Sequence, residues 1–218
     1  MVIEQFYRLE EFLRDYPGMM ASPATGAGLT LKGEFDFTAS MGELPCIADS
    51  YALEILVPDG FPEVGPSVTE TGGKIPRDGK HHVNPDNTLC LGSPLRLLWK
   101  LSKAPTLVGF AEECLVPYLY GISHKLTHGT FPFGELAHGE PGVVADYLDL
   151  FGLANRAQVL HALTLLGKKK QLANKQPCPC GCGMRLGACM YHFKMIELRQ
   201  LASRPWFRQH LATLGSGK

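Results

Sequence analysis

Two stretches of the chain alternate apolar and polar residues, and several others repeat apolar positions at helical spacing. Leu29 to Phe37 (LTLKGEFDF) alternates as a half-buried strand does. Cys46 to Val57 (CIADSYALEILV) alternates through Ile47, Tyr51, Leu53, Ile55 and Val57, and stops at the turn signal Pro58-Asp59-Gly60. A short strand at Ser67-Val68-Thr69 is expected before the Gly72-Gly73 turn. Ahead of these, Ile3, Phe6, Tyr7, Leu13 and Tyr16 share one face of a helix from Ile3 to Tyr16, ended by Pro17-Gly18. A Gly/Ala/Pro-rich connection leads from that helix to the first strand.

Further along, the periodicity turns helical. Thr106 suits the cap of a helix whose apolar face is Leu107, Phe110, Ala111, Cys114, Leu115 and Tyr118, with Cys114 read as core. Pro117 is expected to end or kink it, because proline lacks an amide and crowds the carbonyl of Glu113. A stretch rich in glycine and histidine (His124, His128, His138) reads as a solvated loop. Helices from Val143 to Phe151 and from Asn155 to Leu166 follow. The second closes on Gly167 and on Lys168, Lys169 and Lys170, whose charges complement a helix C-terminus. Two more, Phe193 to Ala202 and one starting near Ser203-Arg204-Pro205, bring in Trp206, Phe207, Leu211 and Leu214 as packing residues. The fold class is α+β, without an internal repeat.

Composition adds constraints rather than chemistry. The 218 residues are 45% hydrophobic and 19% charged, which fits a soluble globular chain. Lysine plus arginine equals aspartate plus glutamate at 21 each, so no overall field recruits nucleic acid or a membrane, and neither is expected as a partner. No apolar run reaches the roughly 20 residues that span a bilayer, and MVIEQFYRLEEF is too acidic and polar for a signal peptide. A cytoplasmic location is therefore expected, with thiols kept reduced. The seven cysteines then read as chemistry or metal ligands rather than disulfides.

The first candidate site is His81-His82-Val83-Asn84-Pro85-Asp86-Asn87-Thr88-Leu89-Cys90-Leu91-Gly92. It sets one cysteine at the end of a turn-rich polar loop, with histidines and asparagines upstream. A thiolate is a strong nucleophile and acyl carrier, and imidazole or carboxamide donors stabilise the oxyanion formed when it attacks a carbonyl. Acyl transfer through a thioester on Cys90 is the chemistry implied. The plainer alternative is a strand cysteine beside a polar turn, with His82 and Asn84 bonding the loop's own backbone.

The second is PCPCGCGMRLGACMYHF from Pro177. Cys178, Cys180, Cys189 and His192 offer soft and borderline ligands on a glycine-rich knuckle, a set that suits tetrahedral Zn2+ in a structural role. Cys182 is the other candidate for the fourth ligand. With four protein ligands, such a site lacks the open position a hydrolytic metal needs.

The order of these elements resembles the ubiquitin-conjugating enzymes, their bacterial members most closely, over roughly Ile3 to Leu153. Leu53 to Pro62 (LEILVPDGFP) is similar to the family's strand ending in a proline turn, and Gly65-Pro66-Ser67-Val68 to the strand after it. Asp86-Asn87-Thr88-Leu89-Cys90-Leu91 is similar to the catalytic segment, and Trp99 and Pro105-Thr106-Leu107 fall where the family has a tryptophan and the following helix. The resemblance implies a catalytic domain over residues 1–153, a helical connector over 154–175 and a tail over 176–218. The tail resembles the SEC-C type zinc knuckle through Cys189, but Met190 stands where that motif has its fourth ligand. His192 is then favoured over Cys182, which stands where that family usually has serine.

In eukaryotic conjugating enzymes the asparagine of a His-Pro-Asn triplet lies eight residues before the cysteine. Here that position is His82, while Asn84 lies in a His-Val-Asn triplet six before it. Spacing favours His82 as oxyanion donor, with Asn84 as the alternative. The resemblance further implies thioester transfer to an amine and an activating enzyme as partner. The carried protein would be ubiquitin-like or another tagged protein, and the bacterial anti-phage setting implies a nucleotidyltransferase-type target. The competing readings are a non-catalytic binding module with a zinc docking knuckle, and a cysteine hydrolase using His82 and Asp86.

Overall fold

The two alternating stretches pair with each other along their whole length. A computed structural model describes residues 7–23, 28–132 and 139–215. In it β2 (Leu29–Ala39) and β3 (Ile47–Val57) run antiparallel, from Leu29 opposite Val57 to Ala39 opposite Ile47. Alternation dictates the faces: Leu31, Phe35, Tyr51, Leu53, Ile55 and Val57 are buried, while Lys32 and Glu54 on the other face form an ion pair at 3.1 Å. β4 (Ser67–Glu70) joins β3, and β1 (Met19–Pro23) joins β2, giving a four-stranded antiparallel sheet in sequence order. β1 was not legible: MMASP lacks alternation, and it is a strand through its pairing with β2. Pro23 ends it at the edge of the sheet, where a missing amide is tolerated.

The chain divides into two compact units. The first comprises Met1–Gly92 and Leu97–Leu136, the second Ser93–Arg96 and Ala137–Lys218. In the first unit, α1 (Leu9–Asp15) buries Phe12, and Tyr16 just after it stacks on Phe35 with ring centroids 4.3 Å apart. Ile3 and Phe6, the start of the expected helix, lie outside the described residues. α2 (Pro94–Lys103), which periodicity did not announce, has its first residues in the second unit.

The helix after α2 has the expected Thr106 cap, runs past Pro117 with a local distortion in place of an end, and corrects the loop expected at His124 and His128. Thr106 caps α3 (Leu107–Phe110), its hydroxyl accepting from the Gly109 amide at 2.9 Å. Pro117 does not stop the chain. The helix widens into a π turn over Ala111–Leu115 and continues as α4 (Val116–His128). The amide that Pro117 lacks would have met the Glu113 carbonyl, and Lys100 Nζ donates to that oxygen instead at 2.6 Å. His124 and His128 consequently sit on α4 rather than in a loop; His138 lies outside the described residues.

The second unit is helical: α5 (Gly139–Phe151), α6 (Arg156–Leu166), α7 (Lys170–Ala173), α8 (Tyr191–Leu201) and α9 (Arg204–Gly215). Asn155 caps α6 by accepting from the Gln158 amide at 3.0 Å. Tyr147, Phe151, Leu163, Leu166, Leu198 and Phe207 are buried in this unit. α5 falls within this unit. Among the described residues no helix is long and apolar enough to cross a membrane.

Candidate active site and candidate metal centre

The polar loop before Cys90 is a closed hairpin. Val83 bridges Leu89, the Asn84 amide donates to the Thr88 carbonyl at 2.8 Å, and the Cys90 amide donates to the His82 carbonyl at 2.7 Å. This register sets His82 directly opposite Cys90 and Asn84 opposite Thr88. The returning arm is tied to the sheet as well, since Thr88 bridges Thr69 and the Leu89 amide donates to the Val68 carbonyl at 2.7 Å. Its tip turns through Asn87, which holds the left-handed φ of +67° that asparagine accepts readily.

Several polar side chains of the loop have definite partners. Asp86 Oδ1 accepts from the Thr88 amide at 3.0 Å and from its hydroxyl at 2.6 Å, bonds that hold the exposed Asp86 carboxyl below the usual range. The Asn84 carboxamide donates to the Thr88 hydroxyl at 3.0 Å. His82 caps a short 3-10 turn (Gly79–His81) at φ +53°, and its ring meets Phe131 edge-on at 5.1 Å. Cys90 is half-buried; Cys114 is buried, and burial pushes its thiol up to about 11; Cys46 is exposed.

Two residues of this region escape a reading of the sequence. Tyr118 on α4 donates its hydroxyl to the His81 carbonyl at 2.8 Å. Burial, and then the charge of a Cys90 thiolate, push its phenol up, so Tyr118 stays a neutral donor beside the thiol. Its helical spacing announces a buried face but not the polar end. The second is His81, whose Nδ1 lies 2.7 Å from Asp78 Oδ1, in an Asp-x-x-His spacing that a capped turn brings together.

The cysteine-rich segment folds around its own thiols. The ligand atoms of Cys178, Cys180, Cys182 and Cys189 all lie within 4.8 Å of one another, with Cys178 and Cys180 Sγ 3.2 Å apart and Cys180 and Cys189 Sγ 3.7 Å apart. A tetrahedral zinc with Zn–S bonds of about 2.3 Å has sulfur–sulfur edges of about 3.8 Å, so the set fits such an ion. His192 is not in the group; its Nδ1 lies 2.9 Å from the Cys189 carbonyl oxygen, and Cys182 supplies the fourth thiol. Local geometry explains why. Gly181 and Gly183 take φ of +80° and +78°, turning the chain twice so that Cys180 and Cys182 both come back to Cys178. The Cys178 amide donates to the Met184 carbonyl at 2.8 Å, and Pro177 bridges Arg185 to close the knuckle. The Tyr191 amide lies 3.4 Å from Cys189 Sγ, the kind of N–H···S interaction that steadies a thiolate. Compared with family models, with curated proteins and with solved structures, the chain matches none of them.

Proposed function

We propose that this chain is a ubiquitin-conjugating-like acyl carrier. Cys90 attacks the thioester by which an activating enzyme holds the C-terminus of a ubiquitin-like protein, and the activating enzyme's thiolate leaves. An amine then attacks the Cys90 thioester, expels the Cys90 thiolate and gives up its extra proton, leaving an amide. His82 steadies the oxyanion formed when the amine attacks, and Tyr118 holds the loop. The observation that carries this reading is the half-buried Cys90 at the end of a sheet-anchored hairpin, with His82 opposite it in register. The bacterial anti-phage setting and a nucleotidyltransferase-type target rest on the family resemblance alone. The tail is proposed to bind one structural zinc through Cys178, Cys180, Cys182 and Cys189, like a SEC-C knuckle with a thiol as its fourth ligand. Bound there, zinc supplies a cross-link rather than catalysis, since all four positions are protein.

The test is the intact mass of the protein made together with its neighbouring gene products and purified without reductant. A thioester predicts an adduct that dithiothreitol removes, a reductant-resistant oxyester in Cys90→Ser and no adduct in Cys90→Ala. An adduct that survives in Cys90→Ala rejects the assignment.

A further inference from the structure

The equal totals of acids and bases conceal a segregation. Residues 166–218 hold ten lysines and arginines against a single acid, Glu197, a net +9. Residues 1–165 hold the other 11 bases with 20 acids, a net −9. Much of that positive charge meets at one place in the second unit. A cavity of about 590 Å³ is lined by Lys169, Lys170, Arg199 and Arg204, with the half-buried Ala202 and the exposed Pro205 as its accessible apolar part and Leu166 and Phe207 buried beneath. Among the described residues no carboxylate pairs with any of these four cations; the ion pairs of this unit lie elsewhere, at Arg96, Arg156 and Lys194.

Capping of α6 accounts for only one of the four. The Arg199 guanidinium donates to the carbonyls of Leu165, Leu166 and Lys168 at 2.6, 3.0 and 3.0 Å, which satisfies the end of that helix. Lys169, Lys170 and Arg204 are exposed and make no such bond, and the two lysines add only their charge to the end of that helix. Burial, and then repulsion from Arg204, hold Arg199 below the usual guanidinium range, a sign that these cations crowd one another. Like charges gathered without a counter-charge destabilise a fold, and an anion among them relieves that cost. The apolar part of the lining points away from a bare inorganic ion and toward an anion that carries flat apolar surface. A single nucleic-acid strand has both, a phosphate on every residue and unpaired base faces, whereas a duplex hides its bases.

We propose that this cavity is a phosphodiester-binding groove that takes a short single strand of RNA or DNA. It is a second, sequence-tolerant binding function of the tail, separate from the Cys90 chemistry.

The test uses the intact, zinc-loaded chain and fluorescence anisotropy. The probes are fluorescein-labelled oligouridine and oligothymidine of about 20 nucleotides, longer than a site of about 4–16, with a duplex and a polyglutamate of similar length beside them. The single strands are expected to bind with Kd of about 10⁻⁴–10⁻⁶ M at physiological salt, more tightly as salt falls. Lys169→Glu combined with Lys170→Glu and Arg204→Glu should weaken binding roughly tenfold or more. The slope of log affinity against log salt should also become shallower, by about 0.7 for each phosphate that is no longer neutralised. These side chains are exposed, so zinc content and circular dichroism should match the parent and exclude misfolding. The ratio of oligouridine to oligothymidine affinity reports which strand is preferred. Absence of single-strand binding at low salt overturns the proposal. So does parental affinity in the triple variant, or polyglutamate or duplex bound as tightly as the single strands.

Discussion

His82 and Cys90 face each other across the hairpin, the His82 carbonyl accepting from the Cys90 amide at 2.7 Å. Asn84 is one step further out, and its carboxamide is already bonded to Thr88. Spacing favours His82 as the oxyanion donor, and the bond from Asn84 to Thr88 gives Asn84 a role in holding the loop.

His82→Ala should load Cys90 normally and pass its acyl group to lysine about 10²–10³-fold more slowly, the usual cost of one oxyanion donor. His82 sits at φ +53°, where an alanine is strained by about 1–2 kcal/mol, so His82→Gly is the cleaner variant and His82→Asn should restore part of the rate. Asn84→Ala should instead lower stability by about 1 kcal/mol, the worth of its bond to Thr88, with little change in single-turnover discharge. Slow discharge in Asn84→Ala with a normal rate in His82→Gly would reverse the roles.

Lys100 and Pro117 form a compensating pair through the Glu113 carbonyl. Lys100→Met leaves that oxygen without its donor and should cost about 1 kcal/mol. In a Pro117→Ala background the restored amide can reach the same oxygen, so the cost of Lys100→Met should shrink. A double-mutant cycle by urea denaturation measures the coupling, and additive effects would show that Lys100 does not replace the missing amide.

Alkaline pH should destabilise the first unit. Burial raises Cys114 from 9.0 to about 11, and burial followed by Glu112 and Asp15 raises Tyr16 from 10.0 to about 12. Between pH 9 and 12 the unfolded chain has released these protons while the folded chain keeps them, so stability falls as pH rises. The contribution is complete below pH 9, and for Cys114, 1% exposed, its loss by pH 11 amounts to roughly 2–3 kcal/mol. Cys114→Ala should flatten the decline of melting temperature between pH 9 and 11. At pH 8 iodoacetamide should take Cys46 and Cys90 and spare the buried, protonated Cys114.

What the sequence discloses follows from where its signals are local. β2 and β3 are legible because period-two alternation has one outcome when one face is buried, and the Thr106 and Asn155 caps because their side chains bond a backbone three residues away. β1 depends on a partner strand, and the passage through Pro117 depends on Lys100, thirteen residues before Glu113 in sequence and next to it only in the fold. Tyr118 beside Cys90 is likewise a tertiary fact. The cysteine cluster is visible as composition, but its ligand set is not. Deciding between His192 and Cys182 requires knowing that two left-handed glycines fold the chain back on itself between residues 178 and 184.

That same turn supports the last prediction. Ligand thiols must lose their protons to bind a metal, and a cage of four is seldom retained without it, so metal affinity in the tail is folding energy for the tail. Elemental analysis should give about one zinc per chain, and X-ray absorption a first shell of about four sulfurs near 2.3 Å. Cys182→Ser should weaken zinc retention against a chelator even though Cys182 is the exposed member of the set. His192→Ala should retain zinc, because its ring nitrogen lies against the Cys189 carbonyl and not among the thiols. A shell of three sulfurs and one nitrogen, with zinc lost in His192→Ala and kept in Cys182→Ser, would return the fourth position to the histidine. Adding a chelator to the parent should melt α8 and α9 first, seen as loss of helical signal, while Cys90 still forms its adduct.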